Sequence, residues 1–197
     1  MLTAIVLAAG SSRRMGNINK LLLPYRGKTV LSHTLENILS AGMGEVVVVT
    51  GHEAAPVQTA IEGLPVRIVH NPQHESGLTS SIQAGVRAAT GDGYMICLAD
   101  MVLITPSEYA FIKKAFEDRS IQDPGCICLP EYRGEKGNPV VFSSFYREAL
   151  LQHPEPEGCK GLVRSHPGNQ YRVGMDTDHI LKDMDDPEQY HSLSLQP

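Results

Sequence analysis

The residues best suited to chemistry lie near the start of the chain, in the stretch TAIVLAAGSSRRMGNINKLLLP at Thr3–Pro24. Its apolar run ends at Ala9 and is followed by the small residues Gly10, Ser11 and Ser12. A buried strand that leads into such a loop presents backbone N–H groups at the edge of a sheet, where they can surround phosphate oxygens closely. Positive charge for the same phosphates comes from three basic residues, Arg13, Arg14 and Lys20. Together these features predict a phosphate-binding site, whereas a glycine and two arginines alone fit an ordinary strand–loop–helix turn equally well.

A carboxylate at the end of a second apolar run, YMICLAD, is the next candidate. This residue, Asp100, follows a predicted buried strand, and open parallel sheets bind ligands at the carboxyl ends of their strands. We therefore expect Asp100 to lie at the same sheet edge as Gly10. Beside a triphosphate, its oxygens would hold a magnesium ion. The alternative is that Asp100 only caps the following turn.

Two further segments could add polar groups to this site. Glu75–Val86 (ESGLTSSIQAGV) opens a predicted helix with N–H and hydroxyl groups that could bind an anion or a base edge, although the same pattern fits a plain helix cap. Late in the chain five aspartates are crowded together: Asp176, Asp178, Asp183, Asp185 and Asp186. Their composition favours a solvated acidic loop. If one of them folds back beside Asp100, two carboxylates can share the metal.

The elements that must position these residues are indicated by hydrophobic patterning. Short β-branched runs alternate with longer helical stretches, which predicts an α/β protein with a mostly parallel sheet and helices on both faces. The predicted strands are Thr3–Ala9, Glu45–Thr50, Val66–His70, Tyr94–Ala99, Cys126–Pro130 and Asn138–Phe142. The predicted helices are Val30–Ala41, Ala54–Ile61, Thr79–Ala89, Pro106–Glu117 and Tyr146–Gln152. We expect one domain over residues 1–197, with 191–197 as a frayed tail.

Composition excludes several classes of function. The 197 residues are 42% hydrophobic and 20% charged with a formal net charge of −5, which argues against nucleic acid as a partner. No apolar run reaches the roughly 18 residues of a membrane span, and the start of the sequence does not resemble a signal peptide, so we expect a cytoplasmic protein without a membrane partner. The cysteines lack metal-site spacing and are expected to be reduced thiols: Cys97, Cys126, Cys128 and Cys159.

Several motifs, in order along nearly the whole chain, resemble one family. LAAGSSRRMG followed by KLLLP is similar to the signature LAAGxSxRMGxxK of nucleotidyltransferases with a Rossmann-like core, and most similar to the molybdenum-cofactor nucleotidyltransferases, particularly the cytidylyl-transferring branch. The other matching motifs are GLTSSI at Gly77–Ile82, LADM at Leu98–Met101, KGNPVVF at Lys136–Phe142 and DMDDPEQY at Asp183–Tyr190. The resemblance implies a three-layer, Rossmann-like nucleotidyltransferase fold with a mostly parallel mixed sheet.

The resemblance also implies roles for individual residues. Arg14, Lys20 and Asp100 would be catalytic. Nucleotide would be bound by Leu7, Ala8, Ala9, Gly10, Ser11, Ser12, Arg13, Arg14, Lys20, Gly77, Ser80, Ser81 and Asp100, with the two serines near the base or ribose. Acceptor would be bound by Lys136, Gly137, Asn138 and Pro139. Mg²⁺ would be held by Asp100 together with Asp183, or with Asp185 as the second choice.

The implied reaction transfers CMP from CTP to a molybdopterin-type cofactor and releases pyrophosphate. CTP is preferred over GTP because LAAG accompanies cytidylyl transfer in the resembling families and LAGG guanylyl transfer. The Ala9 methyl group would narrow the space for a purine. The chain departs from the family pattern in an extra residue before Lys20, and in Val102, Cys159 and Asp186, which replace a proline, an aspartate and a threonine.

Two other functions stay open at this point. The acceptor could be a sugar or polyol phosphate, although DMDDPEQY fits the cofactor branch better. The chain could also be a non-catalytic carrier that delivers the molybdenum cofactor to a hydroxylase, which the spacing before Lys20 and the cysteine at Cys159 motivate. A dinucleotide-binding oxidoreductase is disfavoured because GSSRRMG lacks the GxGxxG pattern.

Overall fold

The computed structural model describes residues 1–12, 15–16 and 18–194. Within them the strands are β1 (Leu2–Ala8), β2 (Pro24–Tyr25), β3 (Lys28–Thr29), β4 (Glu45–Thr50), β5 (Arg67–His70), β6 (Gly93–Leu98), β7 (Ile127–Tyr132), β8 (Glu135–Lys136), β9 (Val140–Ser143) and β10 (Gln170–Gly174). The α-helices are α1 (Val30–Ser40), α2 (Ala54–Ala60), α3 (Leu78–Ala88), α4 (Pro106–Gln122), α5 (Arg147–Leu151), α6 (Lys160–Ser165) and α7 (Pro187–Ser194). Short 3₁₀ turns lie at Lys20–Leu22, His74–Ser76, Ser144–Tyr146, Pro167–Asn169 and His179–Leu181.

The main sheet is mixed and mostly parallel, in the order β10-β7-β9-β6-β1-β4-β5, with β8 paired to β7. Strand β1 lies between β4 and β6 and is parallel to both. Strand β9 is antiparallel to its two neighbours, β6 and β7, and β10 is parallel to β7. The predicted fold class is therefore confirmed. The carboxyl ends of β1, β4 and β6 meet at one edge of the sheet.

Helices cover both faces of this sheet because side chains of a strand alternate between its faces. On β1, Ala4 and Val6 pack in one apolar cluster with residues of α1 and α4. Ile5 and Leu7 pack in the other cluster with residues of α3, α5 and α6. Strand β1 is buried along its whole length, which is why its sequence reads as a continuous apolar run.

The helix α4 shows why local sequence predicts some boundaries well and others less well. Thr105 and Glu108 form a reciprocal capping box ahead of it, and Pro106 occupies the first turn, so its start was predicted correctly. Its end was predicted too early, at Glu117 instead of Gln122. Beyond Glu117 the helix carries mainly polar residues and has no apolar stripe to mark its continuation.

Several elements were missed from sequence. Strand β10 has one buried residue, Val173, and exists because it pairs with β7 at the sheet edge. The antiparallel pair β2–β3, the strand β8 and the helices α6 and α7 are short and lack a clear period. Helix α7 includes the first part of the stretch predicted to fray, because Tyr190 Oη donates to the carbonyl of Pro24 at 2.8 Å; residues 195–197 lie outside the described residues.

The four cysteines are free, and three of them are buried. No helix in the described ranges combines the length and the apolar character that a membrane span needs.

Candidate active site

A cavity of about 630 Å³ opens at the carboxyl edge of β1, β4 and β6. Its walls come from the loop after β1, the loop after β4, the start of α3, the loop after β6 and the segment before α7. The lining residues are Leu7, Ala9, Gly10, Ser11, Ser12, Lys20, Leu21, His52, His74, Glu75, Gly77, Leu78, Ser81, Leu98, Ala99, Asp100, Asp183 and Asp185. Parallel neighbouring strands therefore bring the glycine loop and Asp100 together, and the segment before α7 adds Asp183 and Asp185.

The glycine loop leaves open space in the cavity. Apart from the residues adjacent in the chain, no heavy atom of the described residues lies within 4 Å of a Cβ built on Gly10, so packing within the described protein does not account for the missing side chain. Ser12 adopts a left-handed backbone conformation with φ of 48°, and its carbonyl accepts a hydrogen bond from the Met15 amide at 2.8 Å. The predicted phosphate ligands Arg13 and Arg14 lie outside the described residues.

Lys20 reaches the centre of the site despite the extra residue before it. Asn19 caps the turn Lys20–Leu22 by accepting a hydrogen bond from the Leu21 amide at 3.1 Å. The Lys20 amide donates to Ser12 Oγ at 3.2 Å, which holds the turn against the glycine loop. The capped turn directly after the insertion thus directs the Lys20 side chain to the sheet edge.

The Lys20 ammonium lies between two carboxylates that are far apart in sequence. Its Nζ donates to Asp100 Oδ2 and, at 2.7 Å, to Asp185 Oδ1. The three side chains are mostly enclosed, with exposed fractions of 16% for Lys20, 8% for Asp100 and 23% for Asp185. Burial lowers the pKa of Lys20, but the charges and hydrogen bonds of Asp100 and Asp185 outweigh it and raise the pKa above its ordinary value. Lys20 is therefore a permanent cation here.

Asp183 adds a third negative charge to this group. Its pKa is raised, first by burial and then by repulsion from Asp185 and Asp100, while Lys20 opposes the rise. Three carboxylates around one ammonium leave an excess of negative charge and of hard oxygen donors, which is the chemistry that Mg²⁺ prefers. In the described ranges no group of three or more His, Cys, Asp or Glu residues has metal-binding geometry. Of the two late aspartates, Asp185 is the one that shares Lys20 with Asp100.

The start of α3 forms the opposite wall. Gly77 has φ of +108°, and a Cβ on it would lie 2.6 Å from the carbonyl oxygen of Pro156, so glycine is required. Ser81 lines the cavity. The predicted nucleotide ligand Ser80 does not, because its Oγ donates to the carbonyls of Gln73 and Gly77, at 2.9 and 2.8 Å. Ala8 likewise does not line the cavity, since strand alternation turns it into the core.

The structure does not bring the predicted acceptor residues into this cavity. The Lys136 ammonium is exposed and donates to Gln170 Oε1 at 3.0 Å. The Gly137 amide donates to Pro130 O and the Asn138 amide to Ile180 O, both at 2.9 Å, so this segment is tied to β7 and to the turn at His179–Leu181. With Pro139 it lies outside the set of cavity-lining residues. Val140 pairs with Ile96 in the antiparallel ladder of β9 and β6, so the segment before β9 lies near the carboxyl end of β6, and its role in acceptor binding stays a prediction.

Sequence reasoning missed several cavity residues. His52 and His74 follow the ends of β4 and β5, and their ring centroids lie 6.4 Å apart. Gly51 makes room for them, because a Cβ there would lie 2.5 Å from the His74 Cβ. Asn71, which directly follows β5, was also missed; its amide donates to the hydroxyls of both Ser80 and Ser81. All three follow a predicted strand end, which was the signal that could have found them.

Comparison with known proteins agrees with this geometry. The description of the family whose model matches residues 4–170 is MobA-like NTP transferase domain. The nicotine blue oxidoreductase of Paenarthrobacter nicotinovorans is 29% identical, covering 97% of this chain and 95% of that protein. The molybdenum cofactor cytidylyltransferase of Escherichia coli is 27% identical, covering 94% of this chain and 92% of that protein. A nucleotidyl transferase structure from Methanothermobacter superposes with a TM-score of 0.86 at 28% identity, covering 98% of this chain and 96% of that one. The chain therefore belongs to the MobA-like NTP transferase domain family and is a nucleotidyltransferase.

Proposed function

We propose that this enzyme transfers CMP from CTP to the terminal phosphate of a molybdopterin-type cofactor and releases pyrophosphate. The observation that carries the proposal is the Lys20 ammonium between Asp100 and Asp185, directly beside an open glycine loop. A cation, backbone amides and excess carboxylates at one sheet edge suit a triphosphate and its metal ion.

The reaction needs no nucleophile from the protein. A phosphate oxygen of the acceptor, already ionised at neutral pH, attacks the α-phosphorus in line, and the bond from that phosphorus to the bridging oxygen of the β-phosphate breaks. Lys20 and the backbone amides of Gly10–Ser12 neutralise charge that gathers on the leaving pyrophosphate, and Arg14 is proposed to assist them. Mg²⁺, held by Asp100 with Asp185 or Asp183, would supply further charge neutralisation when bound. Positioning and electrostatics then account for most of the catalysis.

CTP is the proposed donor, with GTP as the competing nucleotide. Ala9 lines the cavity, and its methyl group lies close to Gly51, since a Cβ on Gly51 would be 2.8 Å from the Ala9 Cβ. The methyl group thus narrows the cavity wall between the ends of β1 and β4. The Escherichia coli relative is named a molybdenum cofactor cytidylyltransferase, which supports the same choice.

The test is a turnover assay with CTP, GTP, ATP and UTP, each with Mg²⁺ and molybdopterin-type cofactor, in which pyrophosphate release is measured. We expect the highest rate with CTP. Asp100→Ala should abolish turnover, whereas the matched control Asp118→Ala should not, because Asp118 lies on the exposed face of α4 and pairs with Lys114. If pyrophosphate is released only when a sugar or polyol phosphate is supplied, the acceptor is that phosphate and not the molybdopterin-type cofactor.

Two further outcomes would contradict the proposal. Delivery of preformed cofactor by Asp100→Ala, with no turnover by the wild type, would indicate a carrier. Because one relative is named an oxidoreductase, oxidation of NADH or NADPH with a dye acceptor is measured in parallel. Dye reduction without pyrophosphate release would replace nucleotidyl transfer by redox chemistry.

A further inference from the structure

A buried amide and two buried hydroxyls form a small polar cluster behind the cavity wall. Asn71, Ser80 and Ser81 are exposed by only 3%, 9% and 4%. Asn71 follows the sheet strand β5, and both serines lie in the first turns of α3. The backbone amide of Asn71 donates to the carbonyl of Thr50 at 2.7 Å, which anchors Asn71 to the end of β4. The cluster therefore joins the sheet edge to the helix that forms the cavity wall.

The orientation of the Asn71 amide follows from its partners. Asn71 Oδ1 accepts a hydrogen bond from the Gln73 amide at 3.0 Å, and a backbone N–H can only donate. The Nδ2 group must therefore face the serines. Its two hydrogens are used once each, toward Ser80 Oγ at 2.9 Å and Ser81 Oγ at 3.0 Å.

The hydroxyls of Ser80 and Ser81 differ in whether their proton is already used in a hydrogen bond within the protein. A serine hydroxyl has one proton to donate. Ser80 Oγ uses its proton on the Gln73 and Gly77 carbonyls. Ser81 Oγ accepts from Asn71, and within the described residues no hydrogen bond takes its proton. Ser81, unlike Ser80, lines the cavity.

We infer that Asn71 is a positioning residue, which makes the Ser81 hydroxyl a hydrogen-bond donor toward the bound nucleotide. The inference rests on the proposed function, because it requires a nucleotide in this cavity. The nucleotide atom that faces Ser81 is then an acceptor, such as a base carbonyl, a ring nitrogen or a ribose oxygen. Asn71 contributes by donating to one lone pair of the Ser81 hydroxyl oxygen, so that the hydroxyl proton is directed away from Asn71 and toward the cavity.

The test reverses the polarity of the cluster. In Asn71→Asp the carboxylate accepts instead of donating, so the Ser81 hydroxyl turns toward it and is lost to the nucleotide. We expect the Kd for CTP with Mg²⁺, measured by isothermal titration calorimetry, to rise about fivefold to tenfold, which is the effect of one lost hydrogen bond. Ser81→Ala should raise the Kd by a similar factor. KM should rise while kcat changes little, because the contact is made equally in the ground state and transition state.

A double-mutant cycle separates this role from a purely structural one. Asn71→Asp combined with Ser81→Ala should bind CTP no more weakly than Ser81→Ala alone, because both changes remove the same donor. The matched control is Ser80→Ala, which removes a neighbouring hydroxyl that does not reach the cavity. It should lower the Tm but change the Kd by less than about twofold, well below one lost hydrogen bond.

The inference is overturned if Ser81→Ala binds CTP as tightly as the wild type, or if the two changes are additive in the cycle. If Asn71→Asp does not fold, Asn71→Ala is measured instead, and a Kd equal to that of the wild type would contradict the role of Asn71. Failure of the proposed function is distinguishable. In that case the wild type itself binds no nucleoside triphosphate, and both conclusions fall together.

Discussion

Replacing Lys20 by Met removes the only cation that contacts both Asp100 and Asp185 in the described residues while keeping a side chain of similar size. The two carboxylates, exposed by 8% and 23%, then lose the ammonium that lies between them. Removing one partner of a buried ion pair typically destabilises a protein by about 3–5 kcal/mol, and we take about 3 kcal/mol because the cavity admits water. For a chain of this length, each kcal/mol shifts the Tm by about 2–4 °C. Lys20→Met should therefore lower the Tm by roughly 6–12 °C.

Thermal unfolding without nucleotide provides the assay, and Lys28→Met is the matched control. Lys28 pairs with Glu36, but their side chains are 48% and 37% exposed, and a surface ion pair contributes at most about 1 kcal/mol. The control should therefore shift the Tm by less than about 4 °C. Adding Mn²⁺ should raise the Tm of Lys20→Met more than that of the wild type, because the Lys20 ammonium no longer competes with a divalent cation for the carboxylates. Turnover should fall by about 100-fold or more, as for loss of one oxyanion-stabilising group.

Two results would refute this reasoning. If Lys20→Met and Lys28→Met lower the Tm equally, Lys20 is not part of a buried charge group. If Lys20→Met combined with Asp185→Asn is no more stable than Lys20→Met, repulsion between Asp100 and Asp185 is not the cause of the destabilisation.

Three further changes are predicted from single contacts. Gly85→Ala should destabilise the protein by about 1–3 kcal/mol, since the new Cβ would lie 2.3 Å from Ile5 Cγ2. The control Gly174→Ala should change the Tm little in the same unfolding assay, because, apart from its chain neighbours, no atom of the described residues lies within 4 Å of its Cβ. Asp183→Asn should raise the Tm at pH 7, because folding raises the pKa of Asp183 and its ionisation therefore opposes folding. The gain in Tm should vanish below pH 3.8, the ordinary pKa of the side chain. A gain in Tm that persists below that pH would contradict this cause. Glu108→Gln should lower the Tm at pH 7. Burial raises the pKa of Glu108, but the N–H and O–H groups that donate to its carboxylate have the larger effect. Folding therefore lowers this pKa, and the ionised carboxylate stabilises the fold. The difference in Tm between Glu108→Gln and the wild type should disappear as the pH falls from 4.5 through the lowered pKa. Thermal unfolding from pH 3 to 7 shows whether the ionised carboxylate stabilises or destabilises the fold.

The buried strands of the fold were predictable because each is determined largely by its own residues. The run VVVVT at Val46–Thr50 is covered on both faces, and its boundaries as a strand, Glu45–Thr50, match the prediction. By contrast, β10 has only Val173 buried and depends on pairing with β7. An edge strand with few apolar residues carries little local signal, and its existence is decided by its neighbour.

The same distinction holds for the site. The glycine loop and Asp100 were predicted at one edge because parallel strands end together. The proposed role of Asn71 was not predictable, because an asparagine after a strand is typical of an ordinary turn. Only the tertiary structure shows that its amide donates to the hydroxyls of Ser80 and Ser81. The acceptor segment at Lys136–Pro139 was assigned by motif order, and its role in acceptor binding stays a prediction.

The sequence by itself determined the α/β class, the family signature and the small-residue loop at Gly10–Ser12, since these depend on residues close together in the chain. The tertiary structure decided where Lys20 points. Its two partners lie 80 and 165 positions away, and local patterning holds no information about contacts of that separation. It also decided how the turn at Lys20–Leu22 is held, because the Lys20 amide donates to Ser12 Oγ in the glycine loop.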